Sequence, residues 1–461
     1  MRRTLPSVKY AALIQLGAAD APLEDLGDRS PLEAAEIPSI RGLAAHGKVA
    51  AVSALNASDE LDAAASLARA VLSLLGIDPR PAEAMRASLS GSAVRAGVLG
   101  LDLGDPVPWC LRATLVTTRP AGGVGSGGLG VGLLSSDAVI GPEPVLTSAQ
   151  TDATWLAIVR RWEHDHPELM VDMQLAGEGA TRVLIDRSAT GMLDVEALSP
   201  EVGERVASRL PGAGVPGAAA RLHQLMLSSA AALADMANEA GEGDTGEAWG
   251  PGMPTMAWFD DVGRRPTLRP FGERFGLSAE CVTDDPGSAA VARWAGLQAR
   301  VLETQELGAA AVDALGTSDA VIVIDSSAAR AALAGDAVSR QAAIEAFDAL
   351  CVGPVARRLR DFGDPERDPA ARGWRLMVTP GVRADAAERG LVSEVVPVLL
   401  AGAWIRTMVT REFTEEAAEA SDLRVDRAHE LMEYFLLGGL ARARGVARRD
   451  LGQGSLWETT G

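Results

Sequence analysis

The sequence predicts an α/β fold: a mostly parallel sheet sandwiched by helices, in a chain divided into more than one domain. Three observations carry that expectation. Apolar runs such as VKYAALIQL, DAVIVID, WRLMVT and VVPVLLAG are continuous rather than alternating, as strands buried on both faces are. Helical segments lie between these runs, and strand, helix and strand in alternation build parallel sheets. The Gly/Pro-rich stretch GEGDTGEAWGPGMP breaks the alternation and reads as a domain boundary.

The elements follow in order. The run from Val8 to Leu16 reads as a buried strand; it is too short for a signal-peptide core and is interrupted by Lys9 and Gln15. In the next segment Ser30 caps a helix, Pro31 takes a first helical position and Glu33 stands three residues after the cap; a later helix ends at Gly47. LDAAASLARAVLSLLGID is an amphipathic helix closed by Gly76, and WCLRATLVTT is strand-like. RPAGGVGSGGLGVG contains a GxGxxG at Gly123, Gly125 and Gly128. No helix pattern follows it, so a flexible loop or hairpin is preferred over a dinucleotide site. TSAQTDATWLAIVRRWEHDHPE is a capped helix, RVLIDRS a strand and RLHQLMLSSAAALADMANEA a strong amphipathic helix. After the linker come TMAWFDD, LSAECVTD and the apolar runs already named, with SRQAAIEAFDALCVGPVARRLRDF as a helix between them.

Composition narrows the function. The 461 residues carry 62 acidic and 43 basic side chains, a net charge of −19 that opposes nucleic acid and anionic membranes as partners. No run approaches the roughly 20 apolar residues of a membrane span. The three cysteines are far apart, without CxxC spacing, which fits a reducing cytoplasm.

Several stretches together resemble the archaeal-type cofactor-independent phosphoglycerate mutases of the alkaline phosphatase superfamily: DAPLEDLGDRSPLEAAEIPSIRGLAAHGKV, LLGIDPR, VLGLDLGDPVPWCLRATLVT, WFDDVGRRPTLRPFGERFGLSAECVTD, AFDALCVGPV and HELMEYFL. They occur in family order and run nearly end to end. The resemblance implies a discontinuous alkaline-phosphatase-like core, residues 1–115 and 250–461, with a smaller α+β domain inserted as a lid at 116–249. It also implies two divalent metal ions (Mn, Mg or Zn) and a serine or threonine nucleophile that passes a phosphoryl group between the hydroxyls of a glycerate, chemistry that needs carboxylate and imidazole ligands.

Carried over residue by residue, those positions fail. Leu16 falls at the metal-binding aspartate after the first strand and Leu67 at the nucleophile, beside Ser66. Ala329 and Leu333 stand for an aspartate and a histidine, Gly381 and Val382 for another such pair, and Leu391 for a later histidine. The phosphate-site motif has become SGSAVRA, Ser90 to Ala96. The five histidines, His46, His164, His166, His223 and His429, lie outside all these segments; the HxH pair His164/His166 reads as a solvated helix end. Arg264 and Arg265 match basic residues of the family and are the candidates for anion contact, against a reading as plain surface arginines.

The sequence therefore predicts a pseudoenzyme: the fold kept, no catalytic residue, no metal ligand and no resident cofactor. Its expected partners are a phosphorylated small molecule or an active paralogous mutase. The oligomeric state is left open. The competing reading is an active mutase or a related phosphotransferase with relocated ligands, drawn from Asp20, Asp325, Asp336, Asp385 and Glu394 with Ser66 or Ser73 as nucleophile.

Overall fold

The computed structural model describes residues 8–53, 63–78, 89–105, 107–120, 138–188, 199–210, 217–242, 252–405, 412–421, 423–425 and 427–438. The GxGxxG of Gly123 to Gly128 and most of the 239–254 linker lie outside them. The chain divides into two units, Met1–Pro81 with Thr267–Gly461, and Ala82–Pro266.

Along the chain the first unit opens with strands β1 (Lys9–Gln15) and β2 (Lys48–Val52). The second unit holds β3 (Trp109–Val116), β4 (Thr118–Pro120), β5 (Ala138–Ile140), β6 (Met173–Ala176), β7 (Thr181–Asp186) and β8 (Met256–Gly263). The first unit resumes with β9 (Ala279–Thr283), β10 (Gln298–Val301), β11 (Ala320–Asp325), β12 (Trp374–Thr379), β13 (Arg383–Asp385), β14 (Gly390–Val392), β15 (Val396–Gly402) and β16 (Arg424–Val425).

The first unit is built on an eight-stranded sheet in the order β10-β9-β11-β1-β12-β15-β2-β16. β10, β9, β11, β1 and β12 run parallel, while β15 is antiparallel to both its neighbours. Every residue of β1 and β11 is buried, which requires cover on both faces, and helices supply it. The Ser30 cap is present as read from the sequence: its side chain accepts from the Glu33 amide, Glu33 answers the Ser30 amide, and Pro31 opens the helix. The run read as one helix from Ser339 to Phe362 is instead the helix Ala337–Phe347, a π-helical turn Asp348–Val352 and the helix Gly353–Arg360. At that turn the buried Asp348 carboxylate accepts from the amides of Ser39 and Ile40, capping the Pro38–Ala44 helix.

The second unit holds an antiparallel sheet, β6-β7-β3-β8, packed on the long helices Ser148–Asp165 and Ala218–Glu242. Trp155, Trp162, Trp258 and Phe259 fill its core, and the Trp162 indole donates to the Leu225 carbonyl at 2.8 Å. The expected boundaries at 115 and 250 shift to 81 and 267. β3 and β8, both assigned to the core by sequence, are hydrogen-bonded to each other along their length, and β3 also pairs with β7, so all belong to the inserted unit.

Candidate functional site

In an open parallel sheet, ligands bind at the carboxyl ends of the strands. At that end of the first unit, Leu16 follows β1 directly. Its amide donates to the Asp325 carbonyl at 2.8 Å, and the Gly17 amide donates to the carbonyls of Pro380 and Val382, so the tip is clamped between the exits of β11 and β12. The Leu16 side chain is fully buried. Gly17 holds φ +72°, and a Cβ there would stand 2.8 Å from the Ala329 Cα. A Cβ at Gly381 would stand 2.7 Å from Leu74 Cδ1, 3.1 Å from Ile14 Cγ2 and 3.2 Å from Leu16 Cδ2. Leu16 thus packs with Gly381, Leu74 and Ile14, and Ala329 and Val382 stand against the neighbouring Gly17.

The remaining positions stand around this cluster. Leu67 is half-buried on the Ala63–Leu74 helix beside the buried Ser66, and that helix lies against β14, where half-buried Leu391 pairs with Ala384. Leu333 is half-buried near the end of the Ser327–Ala334 helix.

One charged pair does occupy this end of the sheet. Arg340 is fully buried, and its guanidinium donates to the carbonyls of Gly17 (2.6 and 3.0 Å), Ala19 (2.6 Å) and Ala384 (2.9 Å) and pairs with Asp20 at 2.5 Å. Burial pulls the guanidinium down from its usual range and the Asp20 charge opposes that fall. Asp20 also accepts from the amides of Ala21 (2.7 Å) and Ala386 (3.0 Å). Glu415, raised by burial, takes the Asp20 amide and the Ser30 hydroxyl. Arg383 stands beside the pair, its Nε 3.7 Å from Asp20 Oδ1 and buried without a hydrogen-bond partner among the described residues.

The sequence reading did not single out Arg340. Its signal was there: Ala337, Arg340, Ile344 and Phe347 form the buried stripe of one helix, and an arginine in such a stripe needs a buried acceptor set.

A second polar group lies at the β9 and β11 tips. The Asp325 carboxylate accepts from Gln15 Nε2 and the Ser327 amide, both at 2.9 Å. Burial first, and then the charge of Asp284, push its pKa up to about 6. Asp284 accepts from the Ser326 amide, the Thr304 hydroxyl and Arg330.

The other proposed substitutes do not assemble. Asp336 caps the Ala337–Phe347 helix, Asp385 caps a turn through the amides of Ala387 and Glu388, and Glu394 pairs with Arg383. Ser66 and Ser73 are buried in their helix. Among the described residues no group of three His, Cys, Asp or Glu side chains is placed to hold a metal ion. His164 is exposed beside Asp165, and His429 faces Asp78 at 3.6 Å.

Arg264 and Arg265 belong to the second unit. Arg264 lies 5.0 Å above the Trp109 ring, and Arg265 donates to the Leu103 carbonyl. In the same unit, SGSAVRA forms the start of the Gly91–Val98 helix, capped by Ser90. The Asp261 carboxylate accepts from the Ser92 amide (2.6 Å) and hydroxyl (2.7 Å), so an internal anion already sits at that helix N-terminus.

No protein-family model matches the chain. It is 26% identical over 447 residues, 93% of this chain and 98% of the relative, to 2,3-bisphosphoglycerate-independent phosphoglycerate mutase 2 of Methanothermobacter thermautotrophicus. It is 25% identical over 440 residues, 93% of this chain and 100% of the relative, to a probable enzyme of the same name from Geobacter sulfurreducens. Among solved structures, a protein from Pyrococcus horikoshii superposes with a TM-score of 0.63 at 17% identity, covering 94% of this chain and 97% of that one. A cofactor-independent phosphoglycerate mutase from Thermoplasma acidophilum superposes with a TM-score of 0.55 at 17% identity, over 93% of this chain and 99% of that one. Those two likenesses concern the fold. No helix among the described residues is long and apolar enough to cross a membrane.

Proposed function

The chain belongs to the family of 2,3-bisphosphoglycerate-independent phosphoglycerate mutases, and we propose that within it the protein is a pseudoenzyme with a ligand-binding, regulatory or scaffold role. One observation carries the reading: the strand tips hold a packed hydrocarbon cluster and a buried Arg340–Asp20 pair. A pair of divalent ions needs hard oxygen or imidazole donors with open lone pairs. The donor set here does not fit. Leu16, Ala329, Leu333, Gly381, Val382 and Leu391 offer no donor atom in their side chains, and Asp20 is engaged by Arg340 and two backbone amides. The guanidinium supplies the positive charge at this point, and each of its nitrogens already donates to an acceptor within the chain. With neither metals nor an activated nucleophile, charge stabilisation of a transferring phosphoryl group has no source.

Relocated ligands would have to come from Asp284 and Asp325. No third carboxylate, imidazole or thiolate stands with these two among the described residues, which disfavours the active reading. The partners that suit a chemically silent mutase fold are a phosphorylated small molecule or an active paralogous mutase.

The test is a mutase assay on the full chain, incubated in turn with Mn, Mg and Zn ions, with metal content measured after desalting. The expected result is no interconversion of 2- and 3-phosphoglycerate above the protein-free blank and no stoichiometric metal. Turnover at any of the three metals would end the pseudoenzyme reading.

A further inference from the structure

At the amino edge of the parallel strands, the end away from Leu16 and Arg340, the first unit holds a cavity of about 520 Å³. Its wall includes Gly42, His46, Arg360, Asp364, Trp374 and Gly402. The volume falls within the roughly 300 to 1,000 Å³ typical of small-molecule sites.

The wall carries two arginines, Arg360 and Arg367, and two carboxylates, Asp364 and Glu366. Asp364 accepts from the Glu366 amide at 2.9 Å and lies 3.4 Å from Arg367 Nε, and Glu366 accepts from the Trp404 amide at 2.9 Å. Arg360, the last residue of its helix, has no acid within ion-pair distance among the described residues, and neither has His46. Trp374, half-buried, adds a flat apolar wall. Trp404, next to the cavity-lining Ala403 and Ile405, holds φ +59°, a conformation that bulky residues adopt only where the surroundings enforce it.

We propose that this cavity binds a small organic anion with a flat apolar body, its charged group taken by Arg360 and His46 and its body laid against Trp374. A guanidinium gives a carboxylate or phosphate two parallel N–H donors, and an indole face gives a ring its stacking area. This binding is independent of the chemistry at the strand tips.

The experiment uses phenyl phosphate as the probe, titrated into the full-length protein by isothermal calorimetry, with inorganic phosphate run in parallel. Saturable binding of phenyl phosphate is expected, tighter than that of inorganic phosphate. Arg360→Gln removes the anion contact. Gly42→Leu fills the cavity: a Cβ at Gly42 meets no atom within 4 Å, so the fold accommodates the side chain. Each variant is expected to weaken binding by about tenfold or more, with no fall in the thermal midpoint. Absence of saturable binding to the wild type, equal binding of the two probes, or binding unmoved by both variants would each overturn the proposal.

Discussion

At the carboxyl edge of the parallel strands Arg340 is enclosed by the carbonyls of Gly17, Ala19 and Ala384 and by Asp20, while at the amino edge Arg360 meets no acid among the described residues and borders a cavity. Both are arginines on neighbouring helices of one unit. The first has become part of the protein interior, where each guanidinium nitrogen donates to an acceptor of the fold. The second keeps its donors available. Capacity to bind depends on which polar groups the chain leaves unsatisfied, and in this unit that capacity lies away from the strand tips.

The largest effect is expected from removing the enclosed arginine. Arg340→Met leaves Asp20 buried without its partner, and breaking a buried pair from one side costs about 3–5 kcal/mol. Urea unfolding should show this loss, and adding Asp20→Asn to the same chain should recover part of it. Equal stability of Arg340→Met and wild type would refute the self-satisfied picture of this edge.

The next effect is a pH dependence. The folded-state pKa of Asp325 is raised to about 6, above the ordinary carboxylate value of the unfolded chain. The folded protein therefore holds this proton more tightly, so the group's contribution to stability is greatest below pH ~4 and is lost as pH rises to about 6, by on the order of 2 kcal/mol. Asp325→Asn should flatten that decline in denaturant midpoints taken from pH 4 to pH 7; an unchanged slope would place its origin in other groups.

The smallest effect belongs to the cavity edge. Gly42 lies within the Pro38–Ala44 helix with open space at its Cβ, so Gly42→Ala should stabilise by about 0.5–1 kcal/mol through helix propensity alone. A destabilised Gly42→Ala would mean that this edge is as tightly packed as the other.

Much of this was readable in the residues. The buried strands and the Ser30 capping box follow from local pattern and side-chain chemistry. Three features did not follow. The domain boundary was misplaced because WCLRATLVTT and TMAWFDD look like any buried strand, and only their mutual pairing assigns them to the inserted unit. Asp20 looked like a stray carboxylate because its partner lies 320 residues away. The π-helical turn at Asp348 is invisible to a 3.6-residue period.

By itself the sequence determined the fold class and the lack of a side-chain donor atom at Leu16, Ala329, Gly381 and Val382, since apolar runs demand burial and a leucine cannot bind a cation. Tertiary structure decided what fills that absence and where binding capacity remains. Whether Arg340 or Arg360 finds an acceptor depends on segments brought together across hundreds of residues, and no local pattern records that distance.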